Sequence, residues 1–221
     1  NKISKVKITK LEDRWILSKL NSLIKNCNTA FDKFEYHEVG RNLGDFIVNN
    51  LSREYIQFVR ERVDNEDKAV FYVIHECLNK IILLLSPICP FISEEIYLNL
   101  KKKFKAKRES IHLEKWPKEE PKLINKKLEE SMAQAKEVIQ GILSERETAK
   151  LGVRWPIKEA IITAESDISP LKEIIMRQTN VKKLTIKKGK LDVKLDTEMT
   201  PELDKEGYAR EIMRKVQDMR K

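Results

Sequence analysis

Glycine is scarce in this chain: six are scattered over 221 residues, with no GxGxxG or GxxxxGKS/T run, so no loop able to cradle nucleotide phosphates is expected within it. Cysteine is scarcer still. Cys27, Cys77 and Cys89 lie far apart without a CxxC pair, which argues against a disulfide framework or a zinc module and for reduced thiols. His37, His75 and His112 are isolated, and His75 and Cys77, two residues apart, fall on different helix faces; no metal site and no Ser/His/Asp or Cys/His nucleophile can be assembled from them. Glu94 and Glu95 resemble paired acids, but neighbours on a helix diverge, and compensation of the helix dipole accounts for them. A membrane span needs about 20 predominantly apolar residues, and the most apolar stretch, residues 69–100, is interrupted by His75, Glu76, Asn79 and Lys80. The opening NKISKVKITK has neither Met nor the apolar core of a signal peptide, so a cytoplasmic protein, given in part, is the expectation. Catalysis is not visible.

What is present is core and positive charge. Hydrophobic residues make up 41% of the chain, enough to bury a real core. Lys and Arg number 44 against 35 Asp and Glu, a formal +9 with a pI near 9.3, which suits a polyanionic partner.

Residues 69–100 organise the rest. Val70, Val73, Ile74, Cys77, Leu78, Ile81, Ile82 and Leu85 recur three to four apart, the spacing of a helix with a wide buried face. Pro87 ends it, and Pro90 opens the next helix. Residues 11–28 place Leu11, Trp15, Leu20, Leu23, Ile24 and Cys27 on one stripe, and residues 36–63 repeat the pattern through Val39, Leu43, Phe46, Leu51, Tyr55 and Val59. Gly40 and Gly44 inside that helix suggest close packing. Residues 101–118 then carry eight Lys or Arg against two Glu, a solvated linker or an RNA contact. A long amphipathic helix over 125–151 is expected to stop at Gly152. Beyond it the period shifts to that of a strand at 157–164, a short helix opened by Ser169 and Pro170, and a β-hairpin around Lys188 and Gly189. Thr200 and Pro201 cap a last helix, with Ala209, Ile212, Val216 and Met219 as an apolar seam.

The fold class expected is mainly α: a helical bundle over 1–118, a long connecting helix in 119–155, and a small α/β unit of strand, helix and hairpin with a final helix over 156–221. Candidate phosphate contacts are Arg14, Arg41, Arg53, Arg60 and Arg62 in the bundle, Arg146, Lys150 and Arg154 around Gly152, and Arg210 and Arg214 at the end. Trp155, or Tyr36, would offer a stacking platform for unpaired bases.

DRWILSKL, LSREYIQFVRERV, SPICPFISEEIYLNL, SIHLEKWP, ERETAKLGVRWPI and TPELDKEGYAREIMRKVQDMRK occur in this order, and in it the chain resembles the C-terminal half of isoleucyl-tRNA synthetases, class I aminoacyl-tRNA synthetases, of the archaeal and eukaryotic type. The first motifs are similar to those of valyl and leucyl relatives too; the last is similar to the isoleucine enzymes. The resemblance implies that 1–118 is an anticodon-binding domain and that the partner is an isoleucine-accepting tRNA. It further implies a monomeric ligase that, when intact, uses isoleucine and ATP with magnesium and edits mischarged valine. HIGH and KMSKS are absent, so no catalytic residue is carried over and this chain is expected to be inactive, with no cofactor or metal of its own. Cys89 stands where the family has Thr or Ser, Trp155 where Gln is commoner, and the four-cysteine zinc module of many bacterial members is missing. The alternatives are the valyl or leucyl counterpart and a free-standing helical RNA-binding or scaffold protein.

Overall fold

The computed structural model describes residues 6–104, 108–165 and 167–220. The centre of the basic run, residues 105–107, lies outside them, as do the side chains of 102–104 and Lys221. The chain forms two compact units, 1–126 and 127–221. The segment 119–126 therefore goes with the bundle and the long helix with the small sheet, where the sequence suggested boundaries at 118 and 155.

The first unit is helical: α1 (Leu11–Asp32), α2 (Tyr36–Asp45), a π-helical segment (Phe46–Tyr55), α3 (Ile56–Asp64), α4 (Lys68–Leu85) and α5 (Pro90–Phe104), with single 3-10 turns at Ile111–Leu113 and Pro121–Leu123. The single helix expected over 36–63 is continuous in space but changes register in its middle. Its buried residues there, Phe46, Asn50, Leu51 and Tyr55, are four and five apart, and only the wider π turn keeps such a set on one face. Gly40 and Gly44 do not mark close packing; a Cβ on either would meet open space.

Although α4 is the most apolar segment, α1 is the helix that touches α2, the π segment, α4 and the turn at 121–123. Trp15, Ile16, Leu20, Ile24 and Cys27 fill the core against Val39, Tyr55, Val59, Val73 and Cys77. The opposite, polar face of α1 holds the returning chain. Asn21 Oδ1 accepts the Glu120 amide at 2.7 Å, and Ser18 Oγ accepts the Asn125 amide at 2.8 Å. A helix with two buried faces shows a weaker apolar stripe than one with a single greasy face, which is why sequence density points to α4 instead.

A charged cluster closes this unit. Arg62 Nη2 reaches Asp13 Oδ2 at 2.7 Å, Nη1 reaches Glu12 Oε1 at 3.1 Å, and Nε reaches Asp67 Oδ2 at 2.9 Å. Tyr55 donates its hydroxyl to Asp13 Oδ1 at 2.8 Å. Asp13 is wholly buried, so its charge depends on these partners. Asp67 also caps α4 by accepting the Ala69 amide at 2.9 Å.

The second unit comprises α6 (Lys126–Thr148), β1 (Ile157–Ala164), a 3-10 turn (Ser169–Leu171), α7 (Lys172–Thr179), β2 (Val181–Lys188), β3 (Asp192–Asp196) and α8 (Pro201–Asp218). The expected hairpin does not form. The strand order is β2-β1-β3: β1 pairs in parallel with β2 and antiparallel with β3. The crossover through α7 lays β2 beside β1. The turn after Lys188 then carries the chain over the end of β1, where the Gly189 amide donates to Ala164 O at 3.1 Å. The strand most in need of cover on both edges is β1, which buries Ile157, Ala160, Ile162 and Ala164; the Lys-rich β2 suits an edge. Helix α6 covers the sheet so closely that a Cβ on Gly141 would lie 3.0 Å from Val193 Cγ2. Thr200 accepts the Leu203 amide as N-cap of α8, with Pro201 at its first position.

Replacing Arg62 with Ala leaves Asp13 buried without its cation and is expected to destabilise the first unit by about 3–5 kcal/mol; Arg62→Lys, which lacks the fork, should rescue little. Thermal denaturation followed by circular dichroism checks both. Burial alone would raise the Asp67 carboxyl, but the Ala69 amide and the Arg62 guanidinium outweigh it and hold the group below its ordinary value. A depressed folded pKa means that the stabilisation is full above the unfolded carboxylate value, about 3.9, and is lost as pH falls through the folded one. Asp67→Asn should accordingly flatten the acid limb of the stability profile while leaving its shape at neutral pH unchanged.

Candidate nucleic-acid interface

The sequence-derived candidates divide into exposed and structural groups. In the first unit, Arg14 and Arg60 are exposed and have no carboxylate within ion-pair distance among the described residues. Exposed Arg41 pairs with Glu38 at 2.9 Å, and Arg53 Nη1 sits 3.4 Å from Asn49 Oδ1. Such surface contacts are worth little and exchange readily for phosphate. Arg62 is different. Its side chain is 12% exposed and held by three carboxylates, so it organises the bundle instead of facing a ligand.

In the second unit Arg146, read as a phosphate contact, is 1% exposed. Its Nη2 donates to Gly152 O at 2.7 Å and to Trp155 O, pinning the loop after α6. Helix α6 ends at a left-handed Lys150, φ 56°, whose amide donates to Glu147 O while that of Leu151 donates to Arg146 O; the helix stop is Lys150 and not Gly152. Trp155 is half-buried and lies on Gly207, where any Cβ would come within 2.2 Å of the indole, with Tyr208 edge-on at 5.1 Å. The indole is a packing element of α8 in place of the expected open platform. Arg154 pairs with Glu211 at 2.7 Å, Arg210 with Glu206 at 2.9 Å, and Arg214 lies near Glu211 and Asp218. The seam of Ile212, Val216 and Met219 is exposed.

What sequence reasoning missed is an aromatic cluster between α1 and α2. Trp116, Phe31, Tyr36 and Phe34 follow one another edge to face, with ring centroids 5.3, 6.0 and 6.3 Å apart. Phe34 is 76% exposed, Tyr36 51% and Trp116 41%, an apolar surface too concentrated to be incidental. It is also rigidly mounted. Trp116 Nε1 donates to Asn28 Oδ1 at 2.8 Å, and Asn28 Nδ2 to Pro117 O at 3.3 Å. Helix α1 ends in a Schellman arrangement in which the Phe34 amide donates to Phe31 O and the Glu35 amide to Ala30 O. The left-handed position of that motif, φ 59°, normally falls to Gly; holding Phe there costs roughly 1–2 kcal/mol. The ring points outward, and Lys33, Lys115 and Lys118, on the segments that carry Phe34 and Trp116, are exposed too. Only Tyr36 was legible beforehand, because Trp116 joins from a segment far away in sequence.

Glu94 and Glu95 do not pair either. Glu94 Oε2 accepts the Ser110 hydroxyl and the Ile111 amide, both at 2.9 Å, and Glu95 accepts from Asn99. Among the described residues no cluster of three His, Cys, Asp or Glu could hold a metal, and no helix is long and apolar enough to cross a membrane.

Most of the chain matches a known family. Residues 13–162 match the family described as the anticodon-binding domain of tRNA ligase. The chain belongs to that family. It is 35% identical over 184 residues to the isoleucine-tRNA ligase of Methanopyrus kandleri, covering 80% of this chain and 17% of that protein. The corresponding ligase of Archaeoglobus fulgidus is 36% identical over 187 residues, 80% of this chain and 18% of the relative. That of Methanosarcina mazei is 35% identical over 208 residues, 89% and 20%. The chain thus spans about a fifth of the length of the curated relatives it matches. Residues 13–162 contain the whole aromatic cluster and, apart from Glu12, the Arg62 network.

Phe34→Gly tests the strain. Because the ring is largely exposed, relief of the left-handed backbone should dominate, giving a gain of about 1 kcal/mol measured as a raised midpoint in chemical denaturation.

Proposed function

We propose that this chain is the tRNA-binding part of an isoleucine-tRNA ligase, and that the Phe31, Phe34, Tyr36 and Trp116 cluster stacks unpaired anticodon-loop bases. The observation that carries the proposal is that cluster: rings held in place by Asn28 and by a strained helix terminus, yet left exposed, inside a span matching a tRNA ligase anticodon-binding domain. An aromatic face accepts any base, while Arg14, Arg41, Arg53 and Arg60 supply phosphate contacts that fix the register. The names of the relatives favour the isoleucine-accepting tRNA over valine or leucine counterparts.

The intact protein, in this reading, is a cytoplasmic monomer that ligates isoleucine to tRNA with ATP and magnesium. No step of that reaction runs through this chain: its glycines are dispersed and none has positive φ, so its residues do not fit a nucleotide-phosphate cradle.

Titration of isoleucine tRNA and an anticodon-swapped variant at several salt concentrations tests the proposal. With about four phosphates contacted, affinity should drop roughly a hundredfold between about 50 and 200 mM salt, and Arg60→Ala should lower the slope by about one phosphate. Phe34→Gly should weaken binding by about 5–100-fold, the worth of one stacked base, without lowering stability. Equal affinity for both tRNAs, or none for either, would contradict the proposal.

A further inference from the structure

Between α4, α5 and the segment after the 3-10 turn at Ile111–Leu113 lies a cavity of about 300 Å³, a size at the small end of ligand sites. Its apolar wall is Ile82, Leu83 and Leu100, and its polar side is His75, Asn79, Tyr97 and Glu114, with Lys80 and Lys101 also lining it. The polar side is preset. Tyr97, pushed up to about 12 by burial first and then by Glu114, stays protonated and donates to Glu114 Oε1 at 2.7 Å. That bond fixes the carboxylate, and Oε2 accepts no hydrogen bond among the described residues. Asn79 Nδ2 lies 3.1 Å from the ring nitrogens of His75, and burial lowers the pKa of His75, keeping the imidazole neutral. Lys80 is 3.5 Å from Glu76.

We propose that this cavity takes one unpaired nucleobase bearing an exocyclic amino group, which donates to Glu114 Oε2 while the ring lies on Leu83 and Leu100. The inference rests on the tRNA-binding reading and names a base pocket for it. Trp116 of the stacking cluster is two residues beyond Glu114, about 7 Å along an extended chain, so a strand passing over the cluster can send a neighbouring base into the cavity. A carboxylate only accepts; it therefore favours adenine, cytosine and guanine, and sets its lone pairs against the O4 of uracil. Lys80 and Lys101 are placed to meet the phosphate.

The test is NMR titration of the 221-residue chain with adenosine, cytidine, guanosine and uridine 5′-monophosphates, with inorganic phosphate as control. The amides of Asn79, Leu83 and Glu114 should shift with the first three nucleotides, and uridine monophosphate should bind at least about fivefold more weakly, the difference a charge-assisted hydrogen bond makes. Glu114→Gln, which still accepts from Tyr97, should bring all four to the uridine level. Leu83→Trp, which fills the cavity, should abolish binding of all four. Equal affinity for uridine monophosphate, shifts confined to other residues, or shifts reproduced by phosphate alone would overturn the assignment. Stem-loop RNA titrated with wild type and Phe34→Gly separates the two readings. If it binds through Phe34 while the cavity resonances ignore nucleotides, the pocket is wrong and the tRNA reading stands. If nucleotides enter the cavity but no stem-loop binds, the tRNA reading falls and a nucleotide pocket remains.

Discussion

The Arg62 guanidinium is the constraint on which the first unit depends. It joins α1 through Glu12 and Asp13 to the cap of α4 through Asp67, while Tyr55 at the end of the π segment donates to the same Asp13. Glu12 and Asp13 are buried away from water, so both need the cation. One side chain thereby fixes the relation of α1, the π segment, α3 and α4. The wider turn over Phe46–Tyr55 belongs to the same arrangement, because it brings Tyr55 onto the core face together with Phe46 and Leu51.

With the bundle fixed, the helix ends decide what is presented. Helix α7 ends at left-handed Asn180, and three others stop at left-handed residues that are not glycine either: Phe34, Glu66 and Lys150. In these three, the paired amides close the last turn on the carbonyls of the preceding residues. At Phe34 the consequence is exposure: a ring that would be comfortable in the core is turned outward beside Tyr36 and Trp116. A glycine there would end α1 at lower cost, so the fold alone does not call for the strained aromatic.

The second unit uses its cations differently. Arg146 bonds the backbone of the loop it follows, and Arg154, Arg210 and Arg214 each face a carboxylate on α8. Trp155 on Gly207 joins that loop to the helix. Of the candidate phosphate contacts, Arg14 and Arg60, exposed and without a carboxylate partner among the described residues, belong to the bundle.

The sequence by itself determined where the helices lie, the stop at Pro87, the start at Pro90 and the Thr200 cap, because proline and capping chemistry act within a few residues. It also carried the motifs by which the anticodon-binding family is recognised. It could not separate Arg60 from Arg62, two residues apart, one exposed and one embedded among carboxylates that come from elsewhere in the chain. Nor could alternation along residues 181–196 tell a hairpin from two strands flanking β1, since side-chain period reveals faces but not neighbours. The aromatic cluster needed Trp116 brought back onto Phe31, and the cavity needed Glu114 set against Tyr97. Those sites are made by contacts between segments far apart in the chain, and only the tertiary structure decides which long-range partners meet.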